Sequence, residues 1–148
     1  MKIKKIALLA VITMASIGAY AQKKVKEPFK EKRVSNTYRH INIQGEMDVL
    51  LIQNEKPGVE VEGSVEQVKN TVTMLRGDTL YIYPGNGEAS RSMDKNKVVV
   101  KINIEDILTL EVNGKTKVES QGYLKSDLFT IKSDGGAEIK IDVKAEKS

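Results

Sequence analysis

The chain of 148 residues has no cysteine and no tryptophan, and its only histidine is His40. Without cysteine there can be no thiol catalysis, no cysteine-ligated zinc or iron–sulfur centre, no disulfide staple and no cysteine lipid anchor. A single imidazole excludes any triad that needs a second one. Excess charge of one sign is also missing from most of the chain. Lys2, Lys4 and Lys5 are three of its 24 basic residues, and none of its 20 acidic ones lies in residues 1–21. The remainder therefore carries 21 against 20, a net of +1. The pI of about 9.1 is largely set by those first residues and does not argue for nucleic acid. No later stretch is apolar enough to span a bilayer as a helix.

What is present begins with an address. Residues 1–21 read as a secretory signal peptide, with Lys2, Lys4 and Lys5 as the charged region and Ile6–Ile12, Met14 and Ile17 as the apolar one. Ala19-Tyr20-Ala21 is a small-residue cleavage site that would leave Gln22 first. Thr13, Ser16 and Gly18 interrupt the apolar stretch, so a retained anchor is not expected. Residues 22–36 carry six basic and two acidic side chains around Pro28, too polar to contribute a core, and are expected to be a charged linker.

From Thr37 onward the apolar period is two. Ile41 and Ile43, Met47, Val49 and Leu51, Val59 and Val61, Leu80 and Ile82, Val98, Val100, Ile102 and Ile104, and Ala137, Ile139, Ile141 and Val143 each recur at every second position, with mostly polar residues between them. Gly, Pro, Asn or Asp bounds each run, which predicts half-buried strands. Only residues 64–70, with Val65 and Val68 three apart, suggest a helical turn. The class is all-β. Residues 84–96 form a long connection of Gly, Ser and charge, expected to be mobile and not to grip a ligand.

Residues 108–121 superpose on residues 129–142 at an offset of 21. Apolar positions match in kind, Gly114 meets Gly135, and Thr109 meets Thr130. Glu111 meets Lys132, Lys117 meets Glu138 and Glu119 meets Lys140, each pair opposite in charge. A period near 20 residues suits stacked parallel turns, which bring equivalent side chains into cross-strand contact. Two successive hairpins of a sandwich would also carry such strands. The complementary charges favour the stack.

An apolar-polar-Gly-x-x-x-apolar pattern recurs at Ile43-Gln44-Gly45 to Val49, at Val112-Asn113-Gly114 to Val118, and at Ser133-Asp134-Gly135 to Ile139 with Ser in the apolar place. Between them lie Val59 to Gly63 and Gly77-Asp78-Thr79-Leu80. That order over residues 37–143 resembles the head GIN domain family of putative auto-transporter adhesins. The resemblance implies a right-handed β-helix-like solenoid preceded by antiparallel strands, and it transfers no catalytic or ligand residue. Members of that family continue for several more coils, so residues 37–148 are expected to be a domain truncated at its C-terminal end.

Motifs with chemical meaning are few. Arg76-Gly77-Asp78 spells an integrin-binding tripeptide, and Asp78-Thr79-Leu80 resembles an O-glycosylation acceptor of some bacterial envelopes, but Gly-Asp is also what a tight turn requires. Ser133-Asp134-Gly135-Gly136 resembles a calcium turn, yet it occurs once without the repeat spacing such turns need. His40 lies on the polar face of its strand with no carboxylate near it in sequence. Glu111, Glu119 and Glu138 face lysines in the proposed stack, which leaves Asp127, Asp134 and Asp142, too little for an acid–base site. No catalytic, cofactor-binding or metal residue is assigned, and no cofactor is expected.

The chain is thus expected to be an exported, non-enzymatic β-solenoid module of a bacterial envelope, a surface-interaction or adhesin domain in the periplasm, on the outer membrane or outside the cell. A carbohydrate-active β-helix enzyme and a purely structural self-assembling protein are the alternatives. Expected partners are an envelope or host surface component, such as carbohydrate, and a second copy. Self-association would run through the C-terminal coil, where Phe129, Ile131, Ala137, Ile139, Ile141 and Val143 have no evident cap.

Overall fold

The computed structural model describes residues 27–33, 36–54, 56–85 and 97–145. The described residues form eleven strands and one short helix. They are β1 (Phe29–Arg33), β2 (His40–Gln44), β3 (Asp48–Gln53), β4 (Gly58–Gly63), α1 (Val65–Asn70), β5 (Thr71–Arg76), β6 (Thr79–Pro84), β7 (Val99–Ile104), β8 (Thr109–Asn113), β9 (Lys117–Lys125), β10 (Thr130–Asp134) and β11 (Glu138–Lys144). The expected signal peptide at residues 1–21, residues 22–26, 34 and 35 of the expected linker, and residues 86–96 of the long connection lie outside the described residues.

The strands form two mixed sheets. Sheet A has the order β1-β4-β7-β3-β9-β11 and sheet B the order β10-β8-β2-β6-β5. Within them β7, β3, β9 and β11 are parallel neighbours, as are β6, β2, β8 and β10. The chain therefore crosses from sheet B to sheet A four times side by side, as β6–β7, β2–β3, β8–β9 and β10–β11. The all-β class and the register of the repeat hold. Thr130, Lys132, Glu138 and Lys140 pair with Thr109, Glu111, Lys117 and Glu119, the offset of 21. The offset fails at its far end, because Asp142 pairs with Tyr123 and not with Gln121. Ser120, Gln121 and Gly122 bulge out opposite Ile141, with Gly122 at φ +74°.

The expected arrangement of a parallel body preceded by antiparallel strands needs correction. Strands β4 and β5 are inserted between the first two passes, and with β1 they pair antiparallel on the outer side of β7 and β6. Of the strands between Tyr38 and Ile104, expected to cap the front of the body, β2–β3 and β6–β7 form parallel passes themselves, and the second of these is residues 79–104. That pass docks outside β2–β3, so β8–β9 must return to the opposite side of β2–β3.

The expected linker also contains structure. Phe29–Arg33 is an edge strand in which Lys30 faces Glu62 and Lys32 faces Glu60. Arg33 donates to the Thr71 and Val68 carbonyls at 2.6 and 2.9 Å, tying β1 to the end of α1. Main-chain pairing and opposite charges order this segment without a buried face, which composition cannot reveal. At the other end of α1, Ser64 and Gln67 form a reciprocal capping box.

Inward residues of both sheets make one core, including Ile41, Ile43, Leu80, Ile82, Leu110 and Val112 from sheet B and Val49, Leu51, Val100, Ile102 and Val118 from sheet A. The corner between the sheets is built by glycine. Gly45 and Gly114 have φ near +110°, and a Cβ on Gly114 would lie 2.5 Å from the Gly45 carbonyl oxygen. Gly135 stacks on Gly114 in turn, while Pro84 occupies the equivalent place above Gly45. The Gly45 and Gly114 amides donate to Asn113 and Asp134 carbonyls at 2.9 Å, and Thr116 Oγ1 donates to Gly45 O at 2.6 Å. The recurring Gly motif is therefore a stacked corner, where only the absence of a side chain permits so close an approach.

Candidate functional site

The two outer faces differ in chemistry. On sheet A, cross-strand rows read Lys32, Glu60, Lys101, Leu50, Glu119, Lys140 and Lys30, Glu62, Val99, Asp48, Lys117, Glu138. Charges along these rows mostly alternate, and ion pairs also run along strands, Lys117 to Glu119 at 3.2 Å and Lys140 to Glu138 at 3.6 Å. The hydrogen bond and charge of Glu119, with Glu138 and Asp48 beyond, push the Lys117 ammonium pKa up. The lysines opposite Glu119 and Glu138 are present as expected, but the ion pairs seen at these residues lie within each strand.

Sheet B carries aromatic and amide groups instead. Its middle row is Met74, Tyr81, Asn42, Glu111, Lys132. One row along are Arg76, Thr79, His40, Thr109 and Thr130. On the other side Val72 faces Tyr83, and Gln44, Asn113 and Asp134 continue in line. Five strands at the usual spacing give a plate about 19 Å across. Tyr81 and Tyr83 are half-buried, so each ring is held by its neighbours with part of its surface in solvent. The amides are only loosely engaged, Gln44 to Asn42 at 3.4 Å and Asn113 to Glu111 at 3.5 Å. Such a plate offers ring faces for stacking beside donors and acceptors that a flat ligand could take over.

The singled-out motifs resolve locally. Gly77 and Asp78 form the two-residue hairpin between β5 and β6, with Gly77 at φ +61°. That turn brings Asp78 to His40, with Oδ2 3.7 Å from Nε2, while His40 Nδ1 lies 2.7 Å from Thr109 Oγ1. A carboxylate does approach His40, from 38 residues away in sequence. Asp134 accepts from the Gly135 amide at 2.7 Å within its own turn. Among the described residues no three His, Asp or Glu side chains gather as a metal site. A shallow groove lined by Gln53, Asn54, Glu105, Tyr123 and Lys125 closes the far ends of β3 and β9. Its Gln53 amide is committed to the fold, donating to Glu105 and Lys125 carbonyls and accepting the Lys125 amide at 2.8 Å.

Residues 37–148 match the family described as putative auto-transporter adhesin, head GIN domain, and the chain belongs to that family. Solved structures share the fold. A putative adhesin from Bacteroides fragilis superposes with TM-score 0.72 at 15% identity, covering 82% of this chain and 56% of that one. A putative adhesin from Parabacteroides merdae gives 0.64 at 15% identity, covering 80% and 52%. A putative lipid binding protein from Parabacteroides distasonis gives 0.63 at 21% identity, again covering 80% and 52%. The chain thus spans little more than half the length of these structures. A search of curated proteins finds no match.

Proposed function

We propose that this chain is an exported, non-enzymatic β-solenoid module of a bacterial envelope that acts by surface contact, with the outer face of sheet B as its contact face and polysaccharide as the ligand class. Family membership and the leader at residues 1–21 support export and a surface role. The parallel registers of the four passes support a solenoid body, reordered by the insertion of β4 to β5. The observation that carries the ligand class is the pair Tyr81 and Tyr83, two residues apart on β6, with Asn42 and Gln44 on the neighbouring β2 and Asn113 beyond them on β8. Sugar rings present an apolar face for stacking and hydroxyls for amide hydrogen bonds, the two chemistries this plate offers. The rows of sheet A, with their charges already matched by neighbours, have less to give to a neutral polymer.

The test is a glycan array probed with the chain purified from the exported fraction. Binding to one or more polysaccharides is expected, with each polymer recovered at its original length. Shortened polymers would point to the carbohydrate-active enzyme, and an array without signal would point to a purely structural role.

A further inference from the structure

We infer that the outer edge of β11 is a self-recognition edge, at which two copies of this chain pair antiparallel about Ile141 and join their A sheets. This inference is independent of the ligand on sheet B. Among the described residues β11 is the last strand of sheet A, with β9 on one side only. In a strand, the N–H and C=O of one residue point to the same side and alternate along the chain. The Glu138 amide donates to Thr116 O, the Asp142 amide to Ser120 Oγ, and Lys144 O accepts from Ser126, so the even-numbered residues are spent on β9. The amides and carbonyls of Ile139, Ile141 and Val143 therefore face the outer edge. The bulge opposite Ile141 belongs to β9, which leaves β11 itself unbroken.

Charge selects the register. The outward side chains of β11 are Glu138, Lys140, Asp142 and Lys144. Full antiparallel overlap of the strand with a copy of itself places Glu138 opposite Lys144 and Lys140 opposite Asp142, and two-fold symmetry gives each pair twice. In the same register Ile141 meets Ile141, Ile139 meets Val143, and these residues exchange the outward main-chain hydrogen bonds. Sliding by two residues in either direction puts Lys140 on itself with Glu138 on Asp142, or Asp142 on itself with Lys140 on Lys144. Both alternatives oppose like charges. The apolar side of the strand also wants cover, since Val143 is 42% exposed and Ile131 in the adjoining edge strand equally so. Antiparallel pairing closes after two copies, whereas head-to-tail stacking would grow without limit.

Sedimentation equilibrium of the chain purified from the exported fraction is the test, with Asp142→Lys as the probe. Asp142 faces the uncharged Tyr123 on β9, and Lys140 and Lys144 flank it along β11, so the melting temperature of Asp142→Lys is measured alongside its association. A monomer–dimer equilibrium is expected, weakened about tenfold by Asp142→Lys and restored by adding Lys140→Glu. Lys144→Glu should weaken it similarly while relieving the facing Lys125 within the chain, so loss of folding cannot explain the result. A monomer at all concentrations, fibres in place of dimers, or a dimer indifferent to Asp142→Lys would each overturn the inference.

Discussion

Tyr38 shows how a single polar atom can hold a core together. Its ring is 1% exposed, and its hydroxyl reaches the Asn103 and Gly58 carbonyls while accepting the Gly58 amide. Burial pushes its pKa up to about 12 from 10.0, partly offset by the Gly58 hydrogen bond. The folded chain therefore holds this proton more tightly than the unfolded chain. The stabilisation is complete below pH 10.0 and is lost as pH rises towards about 12. Tyr38→Phe should cost about 1–2 kcal/mol at neutral pH by stranding its backbone partners. It should also flatten the fall in stability between pH 10 and 12, read by denaturant titration at each pH. The corner glycines make the complementary case. Gly114→Ala combines a positive φ with a Cβ 2.5 Å from Gly45 O and should cost about 3 kcal/mol, whereas Gly58→Ala, with open space around it, should change stability little.

The elements were legible to different depths. Alternation placed β2, β3, β4, β6, β7 and β11 because each buries one face, and the three-residue spacing of Val65 and Val68 placed the helical turn at residues 64–70. It missed β1, whose order comes from an edge and facing charges, and it could not give the lateral order of strands, which depends on where an inserted pass docks. Tyr81 and Tyr83 were legible as outward residues. That Asn42 stands between Tyr81 and Glu111 was not, since these two neighbours lie 39 and 69 residues from it in sequence. The charge ladder was legible from the repeat. Its energetics were only half so, because Glu119 faces Lys140 across strands and also pairs with Lys117 along its own. Glu119→Lys should lower Tm by about 2 °C. Adding Lys140→Glu should recover only part of that, as both strands then carry like-charged neighbours. Strict additivity of the two changes in thermal melts would contradict the cross-strand pairing.

At the scale of the whole molecule, a packed two-sheet body separates a charge-matched face from an aromatic and amide face. Among the described residues, the parallel ladder is flanked by the antiparallel strands β4, β5 and β1 on one side and runs to β11 and β10 on the other. Export is expected to remove residues 1–21, so intact-mass measurement of exported material should show a chain beginning at Gln22; retention of Met1 would refute that cleavage. The contact face can be judged by one comparison, binding to the glycan chosen from the array by Tyr81→Ala/Tyr83→Ala and by Glu119→Ala/Lys140→Ala, each folded to the same extent as the parent chain. The account predicts at least a tenfold loss of affinity for the tyrosine pair and none for the charge pair. Equal binding by the tyrosine variant and the parent would contradict it.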